Sequence, residues 1–117
     1  MLQFINAKSN YTPYKYYKNI ELLRTDDPIK NCSNFFNEIF KTINNSQVSD
    51  KTKKKHIKEV NTETGKRALL IYLSYKYKID NYELWTNQIL NNQDFNIIVE
   101  EYYMKYTHIH NGEIDRY

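Results

Sequence analysis

The three histidines, the single cysteine and the carboxylates near them are the side chains of this chain whose types could hold a metal, move a proton or attack an electrophile. His108 and His110 follow Glu100 and Glu101. Residues two apart on a helix point about 200° away from one another, so the two imidazoles do not chelate together. Glu101 and His108, seven apart, share a helix face at a separation of two turns, and an enzyme would need other groups converging on them in a cleft. His56 stands among Lys53, Lys54, Lys55 and Lys58, which disfavours its protonation and predicts a solvated position rather than a general base. Cys32 lies on the apolar stripe expected after Pro28, which predicts a packing thiol and not a nucleophile. The two glycines, Gly65 and Gly112, stand far apart, and no phosphate-binding loop, nucleophile elbow or Cys-x-x-Cys pair occurs. The expectation is a protein without catalytic residues, metal or cofactor.

Charge is the stronger signal. Between Lys41 and Arg67 there are eight Lys/Arg against three acids, whereas from Asp80 to Tyr117 there are seven acids against two Lys/Arg. A fold that brings these halves together presents a bipolar surface able to steer a partner. Lys51, Lys53, Lys54, Lys55, Lys58, Lys66 and Arg67 are the candidate contacts to phosphates, with nearby tyrosines as stacking faces for bases. The same run also reads as a solvated helix face in a lysine-rich chain. Three arginines offer few bidentate contacts of the kind that read bases. A helix-turn-helix over Leu69–Asn92 meets two objections: Lys78 stands where the tight turn wants glycine, and the second helix has no Lys or Arg and carries Glu83.

Twelve tyrosines give large contact area with a polar tip, as suits a protein interface, or stand in for Leu and Phe in the core and its rim. Trp85, Tyr103 and Met104 are the candidate contact anchors. Phe, Tyr, Met, Ile, Asn and Lys number 61, against 9 for Gly, Ala, Arg and Pro, the mark of an AT-rich gene such as those of low-GC bacteria, their phages and plasmids, or AT-rich viruses.

The elements that must position these groups read as helices. With 117 residues the chain is expected to form one domain that buries its own core without staples. The single cysteine excludes an internal disulfide, and the first residues carry no basic segment followed by an apolar one, so the cytoplasm is the expected compartment. The most apolar stretch, Gly65–Ile79, is far too short for a bilayer, which needs about 20 apolar residues. It is expected to be the central helix, about 66–79, although Leu73, Tyr75, Tyr77 and Ile79 alternate with polar residues as in a half-buried strand.

Around it, Thr12-Pro13 predicts a helix from Pro13 to about Arg24, and Asp27-Pro28 a second, bearing Ile29, Cys32, Phe36, Ile39, Phe40 and Ile43 on one stripe. Ser49 or Asp50 caps a third that is mostly solvated, ending in a break at Asn61–Gly65. A single bent helix from Asp50 to Ile79 is the alternative, since glycine inside a helix costs only about 1 kcal/mol relative to alanine. Asp80 and Glu83 form a capping box for a helix ending at Asn91-Asn92. Asp94 caps the last helix, whose stripe is Phe95, Ile98, Val99, Tyr102, Tyr106 and Ile109, and Asn111-Gly112 ends it, leaving a frayed tail from Glu113. Residues 1–10 are an arm or a short strand. The fold class is therefore all-α, a single-domain bundle of five to six helices, with an α+β alternative carrying a strand or hairpin at 1–8 or 69–79.

These features together predict a non-enzymatic helical binding protein, a regulator or inhibitor working through protein–protein contact. Composition suggests a phage or mobile element as its source, charge asymmetry and the tyrosines suggest contact, and the expected target, which neither identifies, is a host system such as a nucleic-acid-targeting defence complex. The alternative is a nucleic-acid binder using Lys51–Arg67. A homodimer would serve an exposed tyrosine face equally well, and no membrane partner is expected.

Overall fold

The computed structural model describes residues 14–17, 20–21 and 24–115, with side chains at 16, 17, 20, 21 and 24–107. Among them there is no strand, and the fold is an all-α bundle. The expected arm or strand at 1–10 and the Thr12-Pro13 cap lie outside the described residues. The α+β alternative at 69–79 is overturned, because that stretch is helical to Lys76.

The first element among the described residues, α1, is a single turn, Tyr14–Tyr17. The helix expected to reach Arg24 does not do so, since Ile20, Glu21 and Arg24 all lie outside any helix. Tertiary contacts hold this segment in another shape. Arg24 donates from Nη1 to the Tyr77 carbonyl at 3.0 Å and lays its guanidinium 4.7 Å from the centroid of the Tyr77 ring. Thr25 donates from its amide and its hydroxyl to Asn31 Oδ1, each at 2.8 Å, and its carbonyl accepts from Asn31 Nδ2 at 3.0 Å. A helix of a few turns is marginal by itself, so contacts of this kind decide its length.

Asp27 then does what the sequence predicts. Its side chain accepts from the amides of Ile29 and Lys30, with Pro28 in the first turn where a missing N–H costs nothing, and α2 runs Pro28–Asn44. Cys32, Phe35, Phe36, Ile39, Phe40 and Ile43 are buried along it. Ser49 caps α3, Asp50–Val60, by accepting from the Thr52 amide at 3.2 Å. The break falls at Asn61 and Thr62, and neither a long bent helix nor a break reaching Gly65 is formed. Thr62 is the cap of α4, Glu63–Lys76, and Gly65 lies in the first turn with its amide on the Thr62 hydroxyl at 3.0 Å.

The Tyr–Lys alternation that resembles a strand is the last turn of α4 and its termination. Lys78 adopts a left-handed backbone, φ 56°. Its amide donates to the Tyr75 carbonyl at 3.1 Å and that of Ile79 to the Ser74 carbonyl at 2.9 Å. This is the Schellman arrangement, with lysine at the position usually held by glycine. Helix α5, Tyr82–Leu90, is capped by Asn81, which accepts from the Leu84 amide at 3.2 Å, and not by Asp80. Asn92, rather than Asp94, accepts from the Phe95 amide at 2.8 Å at the start of α6, Gln93–Asp115. Asp94 sits inside that first turn, where a carboxylate complements the helix dipole. The stop expected at Asn111-Gly112 does not occur. No described glycine takes a positive φ, and α6 continues through Gly112, at the modest cost glycine carries inside a helix. The backbone is therefore helical through Asp115, where a frayed tail was expected.

The core is shared between the expected central run and α2. Leu69, Leu70 and Leu73 of α4 are fully buried, but Ala68, Ile71 and Tyr72 are only half-buried. Helix α2, packed along α6, contributes more, with Phe36 edge-on to Phe95 at 5.5 Å between ring centroids. Tyr72 joins the two halves of the core, its ring 4.4 Å from that of Tyr17 and stacked on Phe35 at 6.1 Å.

Candidate functional site

Two of the groups that could do chemistry, His56 and Cys32, are taken up inside the bundle. His56 is the clearest correction: it is buried, not solvated, and its Nδ1 lies 2.7 Å from the Tyr16 hydroxyl, with the rings 5.4 Å apart. On α3 it shares the inward side with Ile57 and Val60, so the local helix geometry, and not the lysines beside it in sequence, decides its surroundings. Cys32 is buried, as expected. Burial, reinforced by the Asp27 carboxylate, pushes its thiol from 9.0 up to about 12, which leaves no thiolate nucleophile at neutral pH. Glu101 is exposed, while the side chain of His108 lies outside those described. No group of three or more His, Cys, Asp or Glu that could hold a metal occurs among the described residues.

The tyrosines divide in the same way. Of the nine with described side chains, Tyr16, Tyr17, Tyr77 and Tyr106 are buried, four are half-buried, and Tyr75 is exposed. Tyr75 stacks on Tyr82 at 6.3 Å. Burial raises the Tyr106 hydroxyl above its ordinary value, with the Glu38 carboxylate and Tyr102 acting in the same direction, and that hydroxyl donates to Asn37 Oδ1 at 3.1 Å. The aromatic surplus mainly fills core and rim. Among the expected anchors, Tyr103 is half-buried against Phe40 at 6.4 Å, and Trp85 packs half-buried on the core. Met104 stands out at 47 % exposure.

The basic residues separate into two groups. On α3, Lys51, Lys54, Lys55 and Lys58 follow one another at i, i+3, i+4 and i+7, within an arc of about 100°. That arc lies opposite the buried side of the helix. Lys51, Lys55 and Lys58 are exposed and Lys54 half-buried. Neither acid of this helix falls within the arc, and the only ion pair between described residues is Lys53 with Asp50 at 4.0 Å, outside it. Among the described residues the stripe is thus a line of positive charge about 10 Å long, flanked by Asp50 and Glu59 but with no carboxylate inside it.

Lys66 and Arg67 stand apart from this stripe, on α4. Lys66 Nζ reaches Asn96 Oδ1 at 3.3 Å, and Arg67 Nη1 reaches Asn87 Oδ1 at 2.8 Å, so both tie α4 to its neighbours. The helix-turn-helix reading loses one objection and keeps the other. Lys78 does adopt the tight-turn conformation, but α5 has Glu83 as its single charged residue.

A second surface was missed. On α6, Asp94, Ile97, Glu101 and Met104 recur at i, i+3, i+7 and i+10, within about 80° and away from the core. All four are exposed, Ile97 at 48 %. The i, i+3, i+7, i+10 spacing is the sequence signal of this face, and it is masked by the local roles that Asp94 as a cap and Glu101 beside His108 suggest.

Comparison with protein-family models, with curated proteins and with solved structures finds no match for this chain. No helix among the described residues is long and apolar enough to cross a membrane.

Proposed function

We propose that the chain is a small, non-enzymatic helical binding protein, a regulator or inhibitor whose recognition face is the lysine stripe of α3 and whose partner is an acidic protein surface. The observation that carries this reading is the stripe itself: four lysines on one face, with no carboxylate inside their arc among the described residues, on a helix anchored by the opposite side. Rows of like charge on a fixed scaffold raise encounter rates and select partners of opposite sign. The AT-rich composition supports an origin in a phage or mobile element; the proposed place of action is the cytoplasm and the proposed target a host nucleic-acid-targeting defence complex.

Nucleic acid is the second reading, favoured by the same stripe. It is weakened at Tyr16, which is joined to α3 but is buried against His56 and offers no stacking face. One experiment separates the two readings. Tagged wild type and a K54E/K55E/K58E variant are used to capture partners from nuclease-treated extract, and both are titrated with duplex and single-stranded DNA at rising salt. A protein retained by wild type and lost by the variant supports the first reading. DNA binding whose log–log salt slope shallows in the variant supports the second. Equal behaviour of the two proteins in every arm removes both.

A further inference from the structure

We propose that the outer face of α6 docks the α3 lysine stripe of a second copy of this chain. Two features of that face call for a cover. Ile97 and Met104 expose 48 % and 47 % of their surface seven residues apart on a helix whose opposite side is core. Asp94 and Glu101, also seven apart, interleave with them and are exposed, and neither forms an ion pair among the described residues.

The complementary surface is on the same chain. Lys51 and Lys58 repeat at the same seven-residue interval as Asp94 and Glu101, about 10 Å on each helix, so two helices laid side by side bring both charge pairs into register at once. Lysine suits this face better than a compact cation would. Its four-carbon stem can lie along Ile97 and Met104 while its ammonium reaches a carboxylate beside them. Lys54 and Lys55 add charge between the end positions. A small net charge of +3 leaves little overall repulsion between copies.

The contact joins two different patches and is therefore heterologous. After pairing, one copy keeps its lysine stripe free and the other its α6 face, so association continues into a ring or an open chain. The proposal rests on the reading of α3 as a contact face but adds the α6 surface and the identity of the occupant.

Sedimentation velocity on the purified chain tests it, over a range of protein concentrations at low salt and at about 1 M salt, where the screening length falls to about 3 Å. The expected result is a mass that rises from 14.3 kDa towards twice that and beyond with concentration, and returns to the monomer at high salt. K51Q/K58Q and D94N/E101Q, which neutralise one face without reversing its sign, each remain monomeric alone. Mixed, each retains the one face that the other lacks, and they form a pair that stops at two. Circular dichroism melts confirm that both variants are folded. A monomer at every concentration, or association unaffected by either pair of substitutions, overturns the proposal. In that event a partner captured through α3 would still stand, so the two readings fail separately.

Discussion

The Tyr16 hydroxyl and His56 Nδ1 meet at 2.7 Å inside the protein, forty residues apart in sequence, and fasten the helical turn α1 to the inner side of α3. Both side chains are buried, Tyr16 at 6 % and His56 at 5 % exposure. Buried polar groups of this kind are costly when unpaired and modestly favourable when paired, so the bond acts chiefly by making other arrangements of α1 worse.

Tyr16→Phe keeps the ring and removes the partner of Nδ1. The substitution is expected to destabilise the fold by about 1–3 kcal/mol in urea unfolding. His56→Phe in the same background should recover part of that loss, because the orphaned nitrogen goes with it. A double-mutant cycle showing no coupling between positions 16 and 56 would remove the bond from the list of stabilising contacts.

The caps give a sharper comparison between neighbours. Asn81 accepts from the Leu84 amide, so Asn81→Ala is expected to cost about 0.5–2 kcal/mol, while Asp80→Ala, one residue earlier, should cost a few tenths at most. The reverse order, measured in denaturant melts, would restore Asp80 as the cap.

Lys78 holds a left-handed backbone at φ 56°. That conformation costs roughly 1–2 kcal/mol for a residue with a β-carbon, part of which glycine recovers despite its greater freedom when unfolded. Lys78→Gly is expected to raise stability by about 0.5–1 kcal/mol. A lower melting temperature in the variant would contradict this account of the α4–α5 turn.

Cys32 links burial to alkaline stability. Its thiol titrates near 9.0 when unfolded and near 12 in the fold, so between these values the unfolded chain binds fewer protons than the native one. Stability is therefore fully present below the first value and falls as pH rises through the window. Cys32→Ala should lack that component of the decline when unfolding is followed from pH 8 to 11. Iodoacetamide at pH 8 should label the native thiol at least ~10²-fold more slowly than the thiol in urea.

Phe36, fully buried and edge-on to Phe95, is expected to cost about 3–5 kcal/mol as Phe36→Ala through transfer and cavity terms. Leu84→Ala, at a residue 54 % exposed, should stay within about 0.5 kcal/mol. Comparable losses at the two positions would mean that α2 and α6 do not carry the core as described.

Local signals in the sequence determined the helices whose causes are themselves local. Asp27-Pro28, Ser49 and the 3.6-residue stripe from Ile29 to Ile43 act within one or two turns, and α2 and α3 begin where those residues dictate. The lysines of α3 were legible as a group for the same reason, since i, i+3, i+4, i+7 spacing is a property of one helix. Where two neighbouring residues could serve, as Asp80 or Asn81 and Asn92 or Asp94, the choice depended on backbone angles that the packing of adjacent helices imposes. The end of the N-terminal turn, the burial of His56 and the engagement of Lys66 and Arg67 depend on partners twenty to more than fifty residues away: Tyr77 for Arg24, Tyr16 for His56, Asn96 and Asn87 for the other two. No periodicity within a segment encodes such distant meetings. Only the tertiary structure decided them, and with them which charged side chains remain on the surface to meet a partner.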